Sequence, residues 1–443
     1  MLKRLSHTER EGDWVSMAQA AWPVPFPHGL EYNSPAHGPW NIVHMGMQIP
    51  GAHQIYVCGA NCVRGVVLTA AEMNAADRFS TLSIEEEDLF SGQMEEQLID
   101  GVEEILGKLP YKPTVVLLFT VCVHHFMGCD IPYIYQELRS RLPDYLFVEC
   151  YMDPIMQKEG LTPDQKLRHA MLSFLPHREP RSHQVSFLGS DFAPEESSEI
   201  LDCLRQAGWE WKSSAACRDF EDYLSLSEST LDIVTYPLGQ YGVSAYAGRM
   251  GHDYLYLPQV FSYEEVSCQM KELTRFLYAG EERSYDLTPY IRKCEQKAAE
   301  ARNLIGETEI AIDMNAVPRY LGLARYLIEH GFHVSRLYGD SFSAEEEKDY
   351  HWLREHAPEL RVYPTIQARM RILHGSYGCK VLAIGQKAAY FTDSPYFVNI
   401  VEGGGYHGLD GICHLLEDMM EAYQLPKDLQ IISRKGWGCE CCL

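Results

Sequence analysis

The sequence predicts an α/β protein made of three Rossmann-like domains with parallel sheets. Apolar runs of strand length alternate with amphipathic runs of helix length along most of the chain. One of them, Val115-Val-Leu-Leu-Phe119, is apolar at every position, as a strand covered on both faces should be. The runs fall into three successive groups, and strands separated by helices make βαβ units and parallel sheets.

Residues 1–35 are polar and proline-bearing (Trp22-Pro-Val-Pro-Phe-Pro) and read as an extended arm. The first domain is expected over residues 36–182. It has a strand at Gln54–Val57, an acidic amphipathic helix near Gln93–Leu109, the Val115–Phe119 strand, a helix from about Ile131 to Leu142, and Phe147-Val-Glu-Cys150-Tyr to close the unit. A second domain, 183–285, opens at Gln184-Val-Ser-Phe-Leu-Gly. The helix Pro194–Ala207 follows, and Asp232-Ile-Val-Thr-Tyr236 and Tyr254-Leu-Tyr-Leu-Pro supply further strands. A polar helix near Tyr290–Ile305 leads into the third domain, 286–430. Its strands are Glu309-Ile-Ala-Ile-Asp, Phe332–Leu337, Lys380-Val-Leu-Ala-Ile and Phe397-Val-Asn-Ile-Val, with a helix at Val317–His330. Residues 431–443 form a cysteine-rich tail.

With 443 residues the chain has room for several full cores, and 46% hydrophobic and 23% charged residues are ordinary for a globular protein. The formal charge of −24 argues against nucleic acid and anionic membrane as partners, since like charges repel. It suits small-molecule or protein partners. The charged N-terminus lacks the apolar core of a signal peptide, and no apolar run approaches the ~20 residues that span a bilayer. The expected location is the cytoplasm, where the fourteen cysteines are thiols rather than disulfides.

Four of those thiols stand out. Cys122 follows the Val115–Phe119 strand, and Cys129 comes seven residues later. Cys58 and Cys62 end the earlier apolar stretch Gln54-Ile-Tyr-Val-Cys58-Gly-Ala-Asn-Cys62. Thiols at strand carboxyl ends lie where open α/β sheets bind ligands. Thiolate is the favoured donor for zinc and for iron–sulfur clusters. The spacing from Cys122 to Cys129 is loose for structural zinc, which favours short pairs, whereas cluster ligands come from separate loops or subunits. Burial as small hydrophobes is the competing explanation. His124-His125 read as one buried and one exposed histidine at a helix start.

Two further segments carry chemistry. In Gly403-Gly-Gly-Tyr406-His407-Gly-Leu-Asp410-Gly a histidine follows a glycine run, either presented to a bound group or belonging to a helix turn capped by Asp410. The tail groups Cys439, Cys441 and Cys442, a liability unless it has a use such as metal or sulfur transfer. No Gly-x-Gly-x-x-Gly fingerprint or Walker A sequence occurs, so nucleotide binding has no motif support.

At these residues, over roughly 40 to 425, the sequence resembles component 1 of the nitrogenase superfamily: the molybdenum–iron protein subunits and their protochlorophyllide reductase and cofactor-scaffold relatives. Cys122-Val-His-His-Phe-Met-Gly-Cys129-Asp-Ile is similar to the family's Cys-Pro-x-x-Ile-Gly-Asp-Asp-Ile signature. Asp88-Leu-Phe-Ser-Gly is similar to its Asp-Ile-Val-Phe-Gly-Gly, and Val57–Cys62 to its His-Gly-Pro-x-Gly-Cys loop. Tyr406-His407-Gly-Leu-Asp-Gly resembles Tyr-His-Gly-Phe-Asp-Gly, whose histidine binds the iron–molybdenum cofactor.

The resemblance implies three domains around a central cleft. It makes Cys62 and Cys122 counterparts of ligands to an interfacial four-iron or P-cluster-like centre, and His407 the counterpart of the cofactor histidine. Two departures stand beside it. The family's first cluster cysteine falls at Ala36-His37, so Cys58 or Cys129 becomes a substitute ligand. The cofactor cysteine falls near Tyr236, which makes an ordinary iron–molybdenum site and dinitrogen reduction unlike this chain and leaves the nature of any second metallocofactor open. The implied function is that of a nitrogenase-like oxidoreductase subunit. It would pair with a homologous component 1 subunit, or a copy of itself, and pass electrons from an ATP-dependent iron–sulfur reductase protein to a small-molecule substrate or metallocofactor. Tyr236 and His407 are the candidate proton donors. The alternatives are a scaffold for metallocluster assembly and a metal-free binding protein of the same fold.

Overall fold

A computed structural model describes residues 13–32, 34–36, 42–72, 74–152, 160–281, 283–372 and 380–433. Fourteen strands are assigned among them. They are β1 (Val15–Ser16), β2 (His53–Cys58), β3 (Phe79–Ser83), β4 (Val116–Val121), β5 (Phe147–Met152), β6 (Gln184–Phe187), β7 (Glu210–Ser213), β8 (Leu231–Val234), β9 (Asp253–Tyr256), β10 (Glu309–Asp313), β11 (Val334–Tyr338), β12 (Arg361–Tyr363), β13 (Val381–Ile384) and β14 (Phe397–Val398). They form three sheets ordered β3-β2-β4-β5, β7-β6-β8-β9 and β1-β12-β11-β10-β13-β14. Every pairing is parallel except that of β1 with β12. The α/β class with parallel sheets holds.

The chain divides into two compact units. One takes the described residues of Trp40–Ala193 with Trp209–Leu257, and so both four-stranded sheets. The other takes those of Met1–Pro39, Pro194–Gly208 and Pro258–Arg434, with the six-stranded sheet.

In the first unit the apolar run predicted as a strand becomes β4, and its period of two explains the core. Leu117, Phe119 and Val121 enter a cluster that continues to Leu188, Val234 and Val243 beside the second sheet. Val116 and Leu118 point the other way, against Leu98, Ile99 and Val102 of the helix Met94–Lys108 and Ile134 and Leu138 of the helix Ile131–Arg141. Cys58 is the last residue of β2 and Cys122 directly follows β4.

Strand β3 is absent from the sequence reading. Phe-Ser-Thr-Leu-Ser has little apolar character, and it is an edge strand that stays partly exposed. Residues 13–32 of the arm carry more structure than an extended tail. Val15 and Ser16 pair with Val362 and Arg361, Glu31 bridges Gln367, and Met17 is fully buried, so the arm covers the β12 edge of its own unit. Among the described residues no helix is long and apolar enough to cross a membrane.

Candidate functional site

The thiol end of the first sheet follows from parallel pairing. Tyr56 of β2 lies level with Phe119 of β4, so continuing the register brings Cys58 level with Val121, one residue before Cys122. The expected cysteine loops are in fact helix starts. Gly59 alone separates β2 from the helix Ala60–Glu72, which contains Cys62, and Cys122 opens the helix Cys122–Met127 directly after β4.

The four thiols, none in a disulfide, differ in surroundings. Cys62 is exposed, Cys122 and Cys129 are half-buried, and Cys58 is buried. Burial pushes the Cys58 thiol up to about 12, with the neighbouring Cys62 adding to the shift. Cys129 is also raised, by burial first and then by Glu95. Cys62 is the exposed one of the four. His124 is buried and its Nδ1 accepts the Val121 amide at 3.1 Å. Burial holds its pKa below the ordinary histidine value, so the ring is a neutral local support; His125 is exposed. Among the described residues no group of three or more His, Cys, Asp and Glu is placed to hold a metal ion. Ala36 is buried, while His37 and Cys439, Cys441 and Cys442 lie outside the described residues.

Tyr236 follows β8 in the same unit. The order β7-β6-β8-β9 reverses between β6 and β8, the switch point where such sheets open a crevice. Here the crevice is tight: a Cβ on Gly239 would come within 2.4 Å of the Gly189 carbonyl oxygen. The Arg168 guanidinium lies 4.5 Å from the centre of the Tyr236 ring. Arg168 is buried, donates to Gly189 O at 2.7 Å, and pairs with Asp164 one helical turn away and with Asp191 at 2.7 Å. Burial alone would lower its pKa, but the two carboxylates and Tyr236 more than reverse this, so the guanidinium is permanently charged. Sequence reading missed this cluster. Asp164 and Arg168 show the spacing of a helical ion pair, but such pairs are common on surfaces.

His407 belongs to the other compact unit. Gly403, Gly404 and Gly405 all have positive φ, of 86°, 58° and 80°, which explains the glycine run as a backbone requirement. His407 is buried at the N-cap position of the helix Gly408–Gln424. Asp410 is not the cap. The free amides of the first turn are met by Glu199, from the helix Glu199–Ala207. Its Oε1 accepts from Leu409 N at 2.6 Å and its Oε2 from Asp410 N at 3.2 Å. A Cβ on Gly408 would come within 1.8 Å of Glu199 Oε1, so that glycine makes room for the capping carboxylate.

Asp410 instead accepts from Ser197 Oγ at 2.5 Å and from Lys293 Nζ at 3.0 Å. Burial raises its pKa, but the bonds from Ser197 and Lys293 outweigh that and leave it below the ordinary value. Gly411 passes the Tyr406 backbone so closely that a Cβ would sit 2.7 Å away. The motif is thus accounted for residue by residue as the start of a buried helix, with the His407 ring held at its tip.

A family model, nitrogenase component 1 type oxidoreductase, matches residues 40–423. The chain belongs to that family. Two solved structures of nitrogenase Cp1 are similar in fold. The one at pH 6.5 is 12% identical, with a TM-score of 0.66 over 91% of this chain and 96% of that one. The one at pH 5 is 11% identical, with a TM-score of 0.55 over 90% and 92%. Comparison with curated proteins gives no match in sequence.

Within the family frame the donor sets differ between the two places. Cys62, in the first turn of the helix after β2, and Cys122, directly after β4, are soft donors with access to solvent, a donor type that fits an iron–sulfur cluster. The surroundings of Tyr236 are a guanidinium, two carboxylates and a phenol, which do not fit a thiolate-anchored metallocofactor.

Proposed function

We propose that this family member is an electron-carrying oxidoreductase subunit in which Cys62 and Cys122 hold part of an iron–sulfur cluster shared with a second component 1-like chain or a copy of itself. The observation that supports the reading is the placement of a half-buried thiol directly after β4 and an exposed one in the first turn of the helix that follows its parallel neighbour β2. Among the described residues no three donors are grouped to hold a metal ion, which is compatible with completion by a partner. Phe126 and Met127 follow Cys122 with 65% and 48% of their surface exposed, and such apolar side chains beside a ligand are suited to being covered. When bound, the cluster would supply single low-potential electrons, received from an ATP-dependent iron–sulfur reductase protein.

The chain's own residues divide the remaining tasks. Cys58, buried at the end of β2, backs the cluster end. Tyr236, its ring held against the Arg168 guanidinium at 4.5 Å, is the first proton donor to a reduced small molecule in this reading. His407 is the second proton donor in this reading, with its position set by the Glu199 cap. The substrate is a small molecule rather than a thiolate-bound metallocofactor at Tyr236, for want of a soft donor there.

Iron and acid-labile sulfide analysis of protein purified without oxygen tests the cluster. Both should be present in the unmodified protein, lost in Cys62→Ala and Cys122→Ala, and kept in Cys268→Ala. Iron-free protein would leave the metal-free binding reading. Iron that a reductase protein with ATP cannot reduce would favour the assembly scaffold.

A further inference from the structure

The helices Thr288–Ile305 and Gly408–Gln424 pack against each other within one compact unit, and each brings a cysteine to the contact. Cys294 and Cys413 are buried, with their Sγ atoms 3.2 Å apart. A disulfide needs a separation of ~2.05 Å, so a movement of about 1 Å would close the bond. Cys294 Sγ also lies 3.0 Å from the carbonyl oxygen of Leu409, the residue whose amide Glu199 caps. Lys293, next in sequence, binds Asp410 in the same helical turn. The pair therefore sits directly behind the turn that carries His407.

We propose that Cys294 and Cys413 are an oxidisable dithiol, which hydrogen peroxide converts to a disulfide that ties the His407-bearing helix to the helix Thr288–Ile305. Cys413 is the attacking group. The contact with Cys294 comes first and outweighs burial, and the Lys293 ammonium adds to it, favouring the Cys413 thiolate; the single Cys294 S–H lies between Cys413 Sγ at 3.2 Å and the Leu409 carbonyl at 3.0 Å. The thiolate attacks one peroxide oxygen and the O–O bond breaks. Cys413 becomes a sulfenic acid, and the departing hydroxide takes up the proton that Cys413 released, forming water. The Cys294 sulfur then attacks the sulfenyl sulfur. The S–S bond forms, the S–O bond breaks, and a second water leaves with the Cys294 proton. Two thiols have lost two electrons and one peroxide has become two waters. A small oxidant is required because both sulfurs are buried. Oxidation also withdraws the Cys294 S–H from the Leu409 carbonyl, so the first turn of the motif helix registers the change.

The test uses the full-length protein under anaerobic conditions. It is exposed to graded peroxide, denatured in N-ethylmaleimide, digested and read by mass spectrometry. The expected product is a linked peptide pair joining Cys294 to Cys413 that dithiothreitol separates. In Cys294→Ser the sulfenic acid on Cys413 should persist and be trapped by dimedone. Recovery of both peptides as maleimide adducts, at peroxide levels that fully oxidise the exposed Cys268, would overturn the proposal. So would linkage of Cys413 to another cysteine. Amide exchange over residues 408–413 is the second measurement and needs no variant. The tie should slow it on the order of tenfold, and a disulfide that leaves it unchanged would overturn the clamp.

Discussion

Glu199 Oε1 accepts the Leu409 amide hydrogen at 2.6 Å across 210 residues of sequence, and this bond rather than any local cap holds the start of the His407 helix. Both carboxylate oxygens are used, the second on Asp410 N. Glu199→Ala should destabilise the unit by about 2–3 kcal/mol, the usual cost of removing a charged, buried partner from helix amides. Gly408→Ala should cost as much or more, because its Cβ would displace the same carboxylate. Amide exchange at Leu409 and Asp410 checks both, and protection equal to the unmodified protein would refute the cap.

Arg168 poses a different test, since its charge is matched by Asp164 and Asp191 inside the protein. Arg168→Met should destabilise by roughly 3–5 kcal/mol, because two buried carboxylates lose their counter-charge. The triple change Asp164→Asn, Arg168→Met, Asp191→Asn should recover much of that loss. Denaturant midpoints of the single and triple variants decide the point.

Two buried groups shift stability in opposite directions over one pH range. His53 sits between Tyr111 Oη at 2.7 Å and Ser80 Oγ at 2.8 Å, and burial lowers its pKa to about 4. Its contribution is complete above ~6.5, the unfolded value, and is lost as pH falls towards 4, about 3 kcal/mol in all. Asp232 is raised to about 6 by burial, a shift only partly opposed by His252 at 3.0 Å. Its stabilisation is complete below ~3.9 and is lost as pH rises through 6. His53→Gln should therefore flatten the acid side of a Tm profile between pH 4 and 6.5. Asp232→Asn should raise Tm at pH 7 and leave it closer to that of the unmodified protein at pH 4. Parallel profiles would contradict the assignments.

The substitute-ligand question also has a direct check. Cys58 is buried among apolar side chains at the end of β2, so Cys58→Ala should retain its iron when purified without oxygen, at a stability cost of about 1 kcal/mol for the small cavity. Iron content falling to the level of Cys62→Ala would show instead that Cys58 ligates.

Local pattern sufficed for much of the architecture. Strand β4 announces itself as an apolar run, the helix Met94–Lys108 as an amphipathic one, and Cys58 and Cys122 as thiols where apolar strands stop. Strand β3 escaped notice because an edge strand that stays half-exposed carries no strong hydrophobic signal. His124 and His125 separate into a buried and an exposed ring, as their place at a helix start suggests.

By itself the sequence determined the α/β class, the parallel sheets, the family and the thiols Cys58 and Cys122 at strand ends, because periodicity and short motifs are properties of neighbouring residues. Only the tertiary structure decided which thiols are accessible, that Arg168 sits over Tyr236 between two aspartates, and that Glu199 rather than Asp410 caps the His407 helix. Burial and charge pairing depend on residues far apart in the chain. No local spacing of Glu199, Cys294 and Cys413 records that folding brings them to one helical turn.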